Sequence, residues 1–345
     1  MSAPRSAHRE LLPSIRASAL AVVLLAVAAC SADQANDATV SPESAALPTS
    51  DLSTPSATTG APPSEPAAED FVVGGERRVV VHVPGDFDRR AATPLLIMLH
   101  GYGSSGASHE AYIRLRPPAA EQGLLYAYPD GTEDREGNQF WNATDACCDF
   151  GGTGIDDAGY LAGLVEEIGT VATVDPRRIY FVGHSNGGFM SYRMACEHAD
   201  LVAAIVSVAG ASFGTASDCA PSQPVAVLQI HGSGDDTIRY EGGSVADIGA
   251  PSGTPPYPGV IQSAEFWAGY DRCPSGLVDA SDLVDVDGQI DGPAGPAEST
   301  VKRTTDCEVG GHVEVWTIPG GRHSPIPSRT LPDEILHFLL AHPKP

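Results

Sequence analysis

Ser185 lies in Gly183-His184-Ser185-Asn186-Gly187, directly after a β-branched and aromatic run at residues 178–182 and directly before a helical pattern carried by Phe189, Met190, Met194 and Ala195. Strand, sharp turn and helix in immediate succession lift a serine hydroxyl clear of a sheet edge. The flanking glycines suit that turn, because a Cβ on either neighbour would strike the strand or helix it joins. The bare G-x-S-x-G spacing is common in a chain with 37 glycines, so the flanking strand and helix carry the inference. A serine hydroxyl is too basic to ionise at neutral pH; it needs a base within hydrogen-bond reach and a carboxylate to orient that base. The apolar run 225–230 ends in His231-Gly232-Ser233-Gly234-Asp235-Asp236, which puts an acid just past a buried strand. Asp235 is the first choice and Asp236 its competitor. The run 312–318 ends in Pro319-Gly320-Gly321-Arg322-His323, a glycine turn suited to swing an imidazole over the sheet. His312 at a strand start, and His337 and His342 on a terminal helix, read as surface groups instead.

Attack by such a serine builds negative charge on an oxygen, which backbone amides fixed in advance stabilise. One donor is expected from Asn186, just past the serine. The other should follow the apolar run 94–99, where His100-Gly101-Tyr102-Gly103 occurs, and the amide of Tyr102 is chosen. The chain order serine, acid, histidine is that of the α/β-hydrolase triad.

The elements that must position these groups alternate. Strands are expected at 78–83, 94–99, 124–127, 178–182, 201–208, 225–230, 301–304 and 312–318, with helices at 109–121, 155–169, after Ser185, at 261–270 and at 331–342. Unbroken apolar strand runs and strand-helix alternation predict an α/β fold: a mostly parallel twisted sheet with helices on both faces. Residues 279–300, rich in Asp, Gly and Pro, read as a solvated surface insertion. A calcium loop from Asp285 is excluded, because Ile290 stands where the sharp turn needs glycine and Pro296 where a bidentate glutamate belongs.

Composition bounds the rest. The 345 residues carry a formal net charge of −24, a surface that repels nucleic acid and anionic lipid. Arg5, Arg9 and Arg16 precede an apolar run at 17–29, short of the roughly 20 residues that span a bilayer, so it reads as an export signal. Val27-Ala28-Ala29-Cys30 looks like a bacterial lipoprotein box, which implies cleavage before Cys30 and its acylation; a plain signal peptide is the alternative. Residues 31–70 hold seven acidic residues among Ala, Ser, Pro and Thr, the composition of a disordered tether. The expected organisation is a lipoprotein signal peptide at 1–29, a tether at 30–70 and a catalytic domain at 71–345, held at the cell surface or in the periplasm by lipid alone. Besides Cys30, the six cysteines Cys147, Cys148, Cys196, Cys219, Cys273 and Cys307 suggest three disulfides in an exported chain. Proximity favours Cys196 with Cys219 and Cys273 with Cys307. Adjacent Cys147 and Cys148 would then need a strained vicinal bridge; a metal site is the alternative, without a nearby second pair to support it.

Taken together, L-H-G-Y-G-S-S-G, Y-P-D-G at 128–131, W-N-A-T-D-A-C-C-D-F at 141–150, D-D-A-G-Y, G-H-S-N-G-G, H-G-S-G-D-D and G-G-R-H-S resemble the secreted esterase family that groups polyhydroxybutyrate depolymerases with feruloyl and acetylxylan esterases. The resemblance covers about residues 71–342. It implies carboxylic ester hydrolysis with Ser185 as nucleophile, Asp235 as acid and His323 as base, a pocket wall near Trp141, and disulfides among the six late cysteines. Arg322 stands where the family commonly has glycine, and Pro325 where it has tryptophan. No metal or organic cofactor is required, the ester substrate is the expected partner, and a monomer is expected. Tyr102, Trp141 and Trp267 are candidates to stack on a feruloyl ring; a hydroxyalkanoate ester is the other substrate class. A serine peptidase of the same fold and a non-catalytic glycan-binding lipoprotein are the competing readings.

Overall fold

The computed structural model describes residues 69–292 and 295–345. The expected signal peptide, Cys30 and nearly all of the tether lie outside the described residues. Ten strands form one sheet: β1 (Phe71–Val73), β2 (Val79–His82), β3 (Thr93–Leu99), β4 (Leu125–Ala127), β5 (Val174–His184), β6 (Ala204–Val208), β7 (Ala226–Gly232), β8 (Val278–Val284), β9 (Ser299–Arg303) and β10 (Val313–Ile318). Their spatial order is β1-β2-β4-β3-β5-β6-β7-β10-β9-β8. The six strands from β4 to β10 in that order are parallel, and antiparallel strands flank them on both sides.

Helices cover both faces because the central strands are apolar on both. Leu95, Ile97 and Leu99 face a core with Leu161, Leu164 and Ile168 of α3 (Asp157–Val171), Phe189 and Met194 of α4 (Asn186–Glu197), and Trp267 of α5 (Val260–Tyr270). Leu96 and Met98 face the opposite core with Ile113 of α1 (Gly106–Ile113), Ala119 of α2 (Arg116–Glu121), and Ile335 and Leu339 of α6 (Leu331–Ala341). The alternation along β3 is the two-residue period of a strand.

Three expectations are corrected. The helix expected at 109–121 is two helices: Arg114 takes a positive φ of 63° and ends the first. Pro117 and Pro118 then fall in the first turn of α2, where proline is tolerated, rather than mid-helix, where its ring would clash. Residues 279–300 are not a solvated insertion. They open with edge strand β8, whose Asp279 and Asp282 pair with Lys302 and Arg303 of β9. The following turn is packed: Val286 is buried, Glu298 accepts the amides of Val286 and Asp287, and Gly288 donates to the Ile326 carbonyl at 2.8 Å. An edge strand dense in charge lacks the apolar alternation that reveals strands in sequence. Finally, His342 stacks on His312 at 4.6 Å and bonds the Phe338 carbonyl rather than standing free.

The disulfides pair Cys196 with Cys219, Cys273 with Cys307, and Cys147 with Cys148. The last, a vicinal bridge, replaces the metal-site alternative for those two thiols.

Candidate active site

Ser185 joins β5 to α4 with φ 54° and ψ −122°, a region non-glycine residues rarely occupy, where strain accompanies function. Packing dictates both neighbouring glycines. A Cβ at Gly183 would lie 2.0 Å from the Gly187 carbonyl oxygen, and one at Gly187 would lie 2.1 Å from that of Leu99.

The loops after β7 and β10 bring Asp235 and His323 to this turn. His323 Nε2 is 2.9 Å from Ser185 Oγ, and its Nδ1 is 2.8 Å from Asp235 Oδ2. The network assigns the protons: Nδ1–H donates to the carboxylate and the serine hydroxyl donates to Nε2. Asp235 Oδ1 accepts the amides of Thr237 and Ile238 at 2.8 and 2.9 Å, and His231 Nε2 lies 3.2 Å from Oδ2. Burial alone would raise this carboxyl, but hydrogen bonds to His231 and His323, and their charge, hold it well below the usual carboxylate range. Asp236 is exposed and, among the described residues, reaches only the Thr237 hydroxyl, at 3.5 Å.

The turn bearing His323 is tied down from several sides. Gly234 N donates to the Gly321 carbonyl at 2.9 Å and Gly320 N to Ser233 Oγ at 2.7 Å. His184 Nε2 reaches the His323 carbonyl at 2.9 Å. The His184 ring lies 5.2 Å from His109 and 5.1 Å from His323; burial and the neighbouring His323 push its pKa down to about 4, so it stays neutral. The Tyr112 hydroxyl donates to the Pro325 carbonyl. Reading the sequence for nucleophile, acid and base missed His184, His231, Tyr112 and His109. His184, inside the serine motif, and His231, four residues before Asp235 in the acid's motif, carried a local signal.

The loop after β3 lies against the serine, for a Cβ at Gly101 would be 3.3 Å from Ser185 Cβ. His100 shapes this loop: its Nδ1–H donates to the Gly101 carbonyl and its Nε2 accepts the Gly131 amide, both at 2.8 Å, and burial lowers its pKa. Tyr102 follows, 38% exposed, its ring 5.3 Å from Phe150 and its hydroxyl on Asp134. Asn186, first residue of α4, has an amide with no intrahelical acceptor. Its side chain accepts the Trp141 amide at 2.7 Å and donates to the Trp141 carbonyl at 2.9 Å.

Trp141 therefore corrects an expectation. It is fully buried, its indole N–H on the His100 carbonyl at 3.1 Å, and it buttresses the loop from beneath rather than walling a pocket. Trp267 is also fully buried, its N–H on Ser212, and offers no face to a ligand. The cleft beside the site, about 620 Å³, is lined instead by residues of 142–154 and 251–255, Cys147 and Phe150 among them. Other quoted motifs prove to be scaffold. Asp130 accepts the Gly106 amide, Asp156 caps α3, and buried Asp157 pairs with Arg77 at 2.9 Å and accepts the Asn142 amide.

A family model described as the alpha/beta hydrolase fold matches residues 94–235. The chain is 34% identical over 173 residues to feruloyl esterase B of Piromyces equi, covering 48% of this chain and 31% of that protein. It is 23% identical over 266 residues to feruloyl esterase D of Neurospora crassa, covering 73% and 75%. This chain thus spans about a third of the length of the Piromyces protein. Among solved structures, an acetyl xylan esterase from Aspergillus awamori superposes with a TM-score of 0.51 at 15% identity, covering 79% of this chain and 99% of that one, a likeness of fold. Sheet order, sequence match and superposition together make this chain an α/β-hydrolase-fold protein with sequence similarity to feruloyl esterases.

Proposed function

We propose that this chain is an exported serine hydrolase of carboxylic esters. One observation carries the reading: a continuous hydrogen-bonded line from Ser185 Oγ through His323 to Asp235, with steps of 2.9 and 2.8 Å, at the strained turn after β5. Ser185 attacks the acyl carbon while His323 takes its proton, and Asp235 stabilises the imidazolium. The amides of Asn186 and Tyr102 bind the oxyanion. The alcohol leaves with the proton from His323, and water, activated by the same imidazole, resolves the acyl-enzyme. The proposed substrates are feruloyl or acetyl esters of polysaccharides, or 3-hydroxybutyrate polymers and oligomers; the names of the similar proteins favour the first group. The signal at 1–29, acylation of Cys30, the tether to 70 and a catalytic domain from 71 belong to the same proposal, with the three disulfides supporting export.

Ser185→Ala is expected to lower kcat on p-nitrophenyl butyrate by about 10⁴ to 10⁶ with an unchanged melting temperature. Turnover of peptide anilides without turnover of esters would reassign the site to peptide hydrolysis. Methyl ferulate, acetylated xylan and 3-hydroxybutyrate oligomers, compared at equal concentration, rank the substrate classes.

A further inference from the structure

The cleft of about 620 Å³ has a lining of one sign: Asp145 and Asp149 contribute carboxylates, and none of its lining residues is Lys, Arg or His. Asp149 already accepts the amides of Thr153 and Gly154, at 2.9 and 2.7 Å, whereas Asp145 is exposed. Arg193 reaches the Asn142 carbonyl at 2.6 Å but is paired with Glu197 at 2.8 Å, so its charge is already answered. Two contacts join the cleft to the residues beside the serine. Cys147, in its wall, has Sγ 3.7 Å from Asn186 Nδ2, and Phe150, also in its wall, packs on Tyr102. Thr144 lines the same wall, is 7% exposed, and has a hydroxyl with no partner among the described residues. A buried hydroxyl left without a partner in a cleft wall needs one, which water or a ligand oxygen supplies.

We propose that this cleft receives the uncharged, hydroxyl-bearing part of the ester, and that Asp145, reinforced by Asp149, excludes substrates carrying a free carboxylate near the scissile bond. The inference rests on the esterase reading and selects within it. Neutral glycosyl esters are admitted; short 3-hydroxybutyrate oligomers, each ending in a carboxylate, are disfavoured. Like charges several ångströms apart in a cleft open to water discriminate by roughly 5- to 10-fold each.

The test compares kcat/KM for the 3-hydroxybutyrate dimer and for the same dimer with its terminal carboxyl replaced by a carboxamide, substrates of equal size with one ester bond each. The ratio of amide to acid is read in the wild type, Asp145→Asn and Asp145→Lys, which cancels any loss common to both substrates. The expected ratio is about 10 or more for the wild type at low salt, falling in 1 M NaCl, falling several-fold in Asp145→Asn and approaching or passing below 1 in Asp145→Lys. A wild-type ratio near 1, or a ratio unchanged by Asp145→Lys, overturns the inference. Wild-type turnover of p-nitrophenyl acetate, lost in Ser185→Ala, is the separate control: its absence overturns the esterase reading itself.

Discussion

At the scale of residues, the two adjacent acids after β7 have different fates for a geometric reason. Asp235 turns inward, receives two backbone amides and meets His323; Asp236 faces solvent. Asp235→Asn, which cannot hold the same imidazole tautomer, is expected to lower kcat by about 10⁴, while Asp236→Asn stays within about twofold of the wild type; steady-state kinetics on p-nitrophenyl butyrate checks both. His184 acts through the backbone of His323 rather than on a substrate. Without its bond to that carbonyl, the Gly320-Gly321 turn gains freedom, so His184→Ala is expected to lower kcat roughly tenfold or more with KM little changed. A KM increase at constant kcat would contradict this positioning role. Ser185 was legible because everything shaping its turn lies within a few residues along the chain. Tyr112 was not, since its partner Pro325 lies on a loop that is distant in sequence, whereas His231 stands four residues before Asp235 in the same quoted motif and was passed over.

At the scale of elements, α5 ends on a buried acid. Asp271 Oδ1 accepts the Val225 amide at 3.1 Å, its Oδ2 has no partner among the described residues, and burial raises its pKa to about 8. The ordinary value is 3.8, so between about pH 4 and pH 8 the unfolded chain is ionised while the folded one keeps the proton. Stability conferred by the protonated form is complete below pH 4 and declines as pH rises towards 8. Asp271→Asn keeps an acceptor for Val225 and carries no charge, so it is expected to remove this decline and add on the order of 1–3 kcal/mol at pH 7. Thermal unfolding of both proteins from pH 5 to 8 reads the outcome; parallel curves would contradict it. Element ends followed local chemistry where it was strong, as with the prolines that begin α2. Edge strand β8 escaped notice because its charged pairs are formed across to β9, not within its own sequence.

At the scale of the whole molecule, buried imidazoles set the acid side of stability. Burial lowers the pKa of His100 and of His109, and with His323 nearby that of His184, from an ordinary 6.5. Below that value the unfolded chain binds protons that the folded chain refuses, so stability is expected to fall as pH drops through 6.5 towards 4. Because Asp271 acts in the opposite direction over this range, denaturant titrations of Asp271→Asn at pH 7, 6 and 5 should show a decreasing midpoint, and removing His184 in that background should flatten part of that slope.

By itself the sequence determined the order of the central strands and of most helices, the turn at Ser185 and the glycines that permit it, since these follow from hydrophobic period and from sterics between near neighbours. Only the tertiary structure decided that Trp141 and Trp267 lie beneath the surface rather than in a pocket, that residues 286–288 clamp the segment after His323, and that β8 pairs with β9. The physical reason is common to all three. Burial and pairing depend on which distant segments close-pack against one another, and a parallel sheet joins strands separated by long crossovers that carry no local mark of their partners.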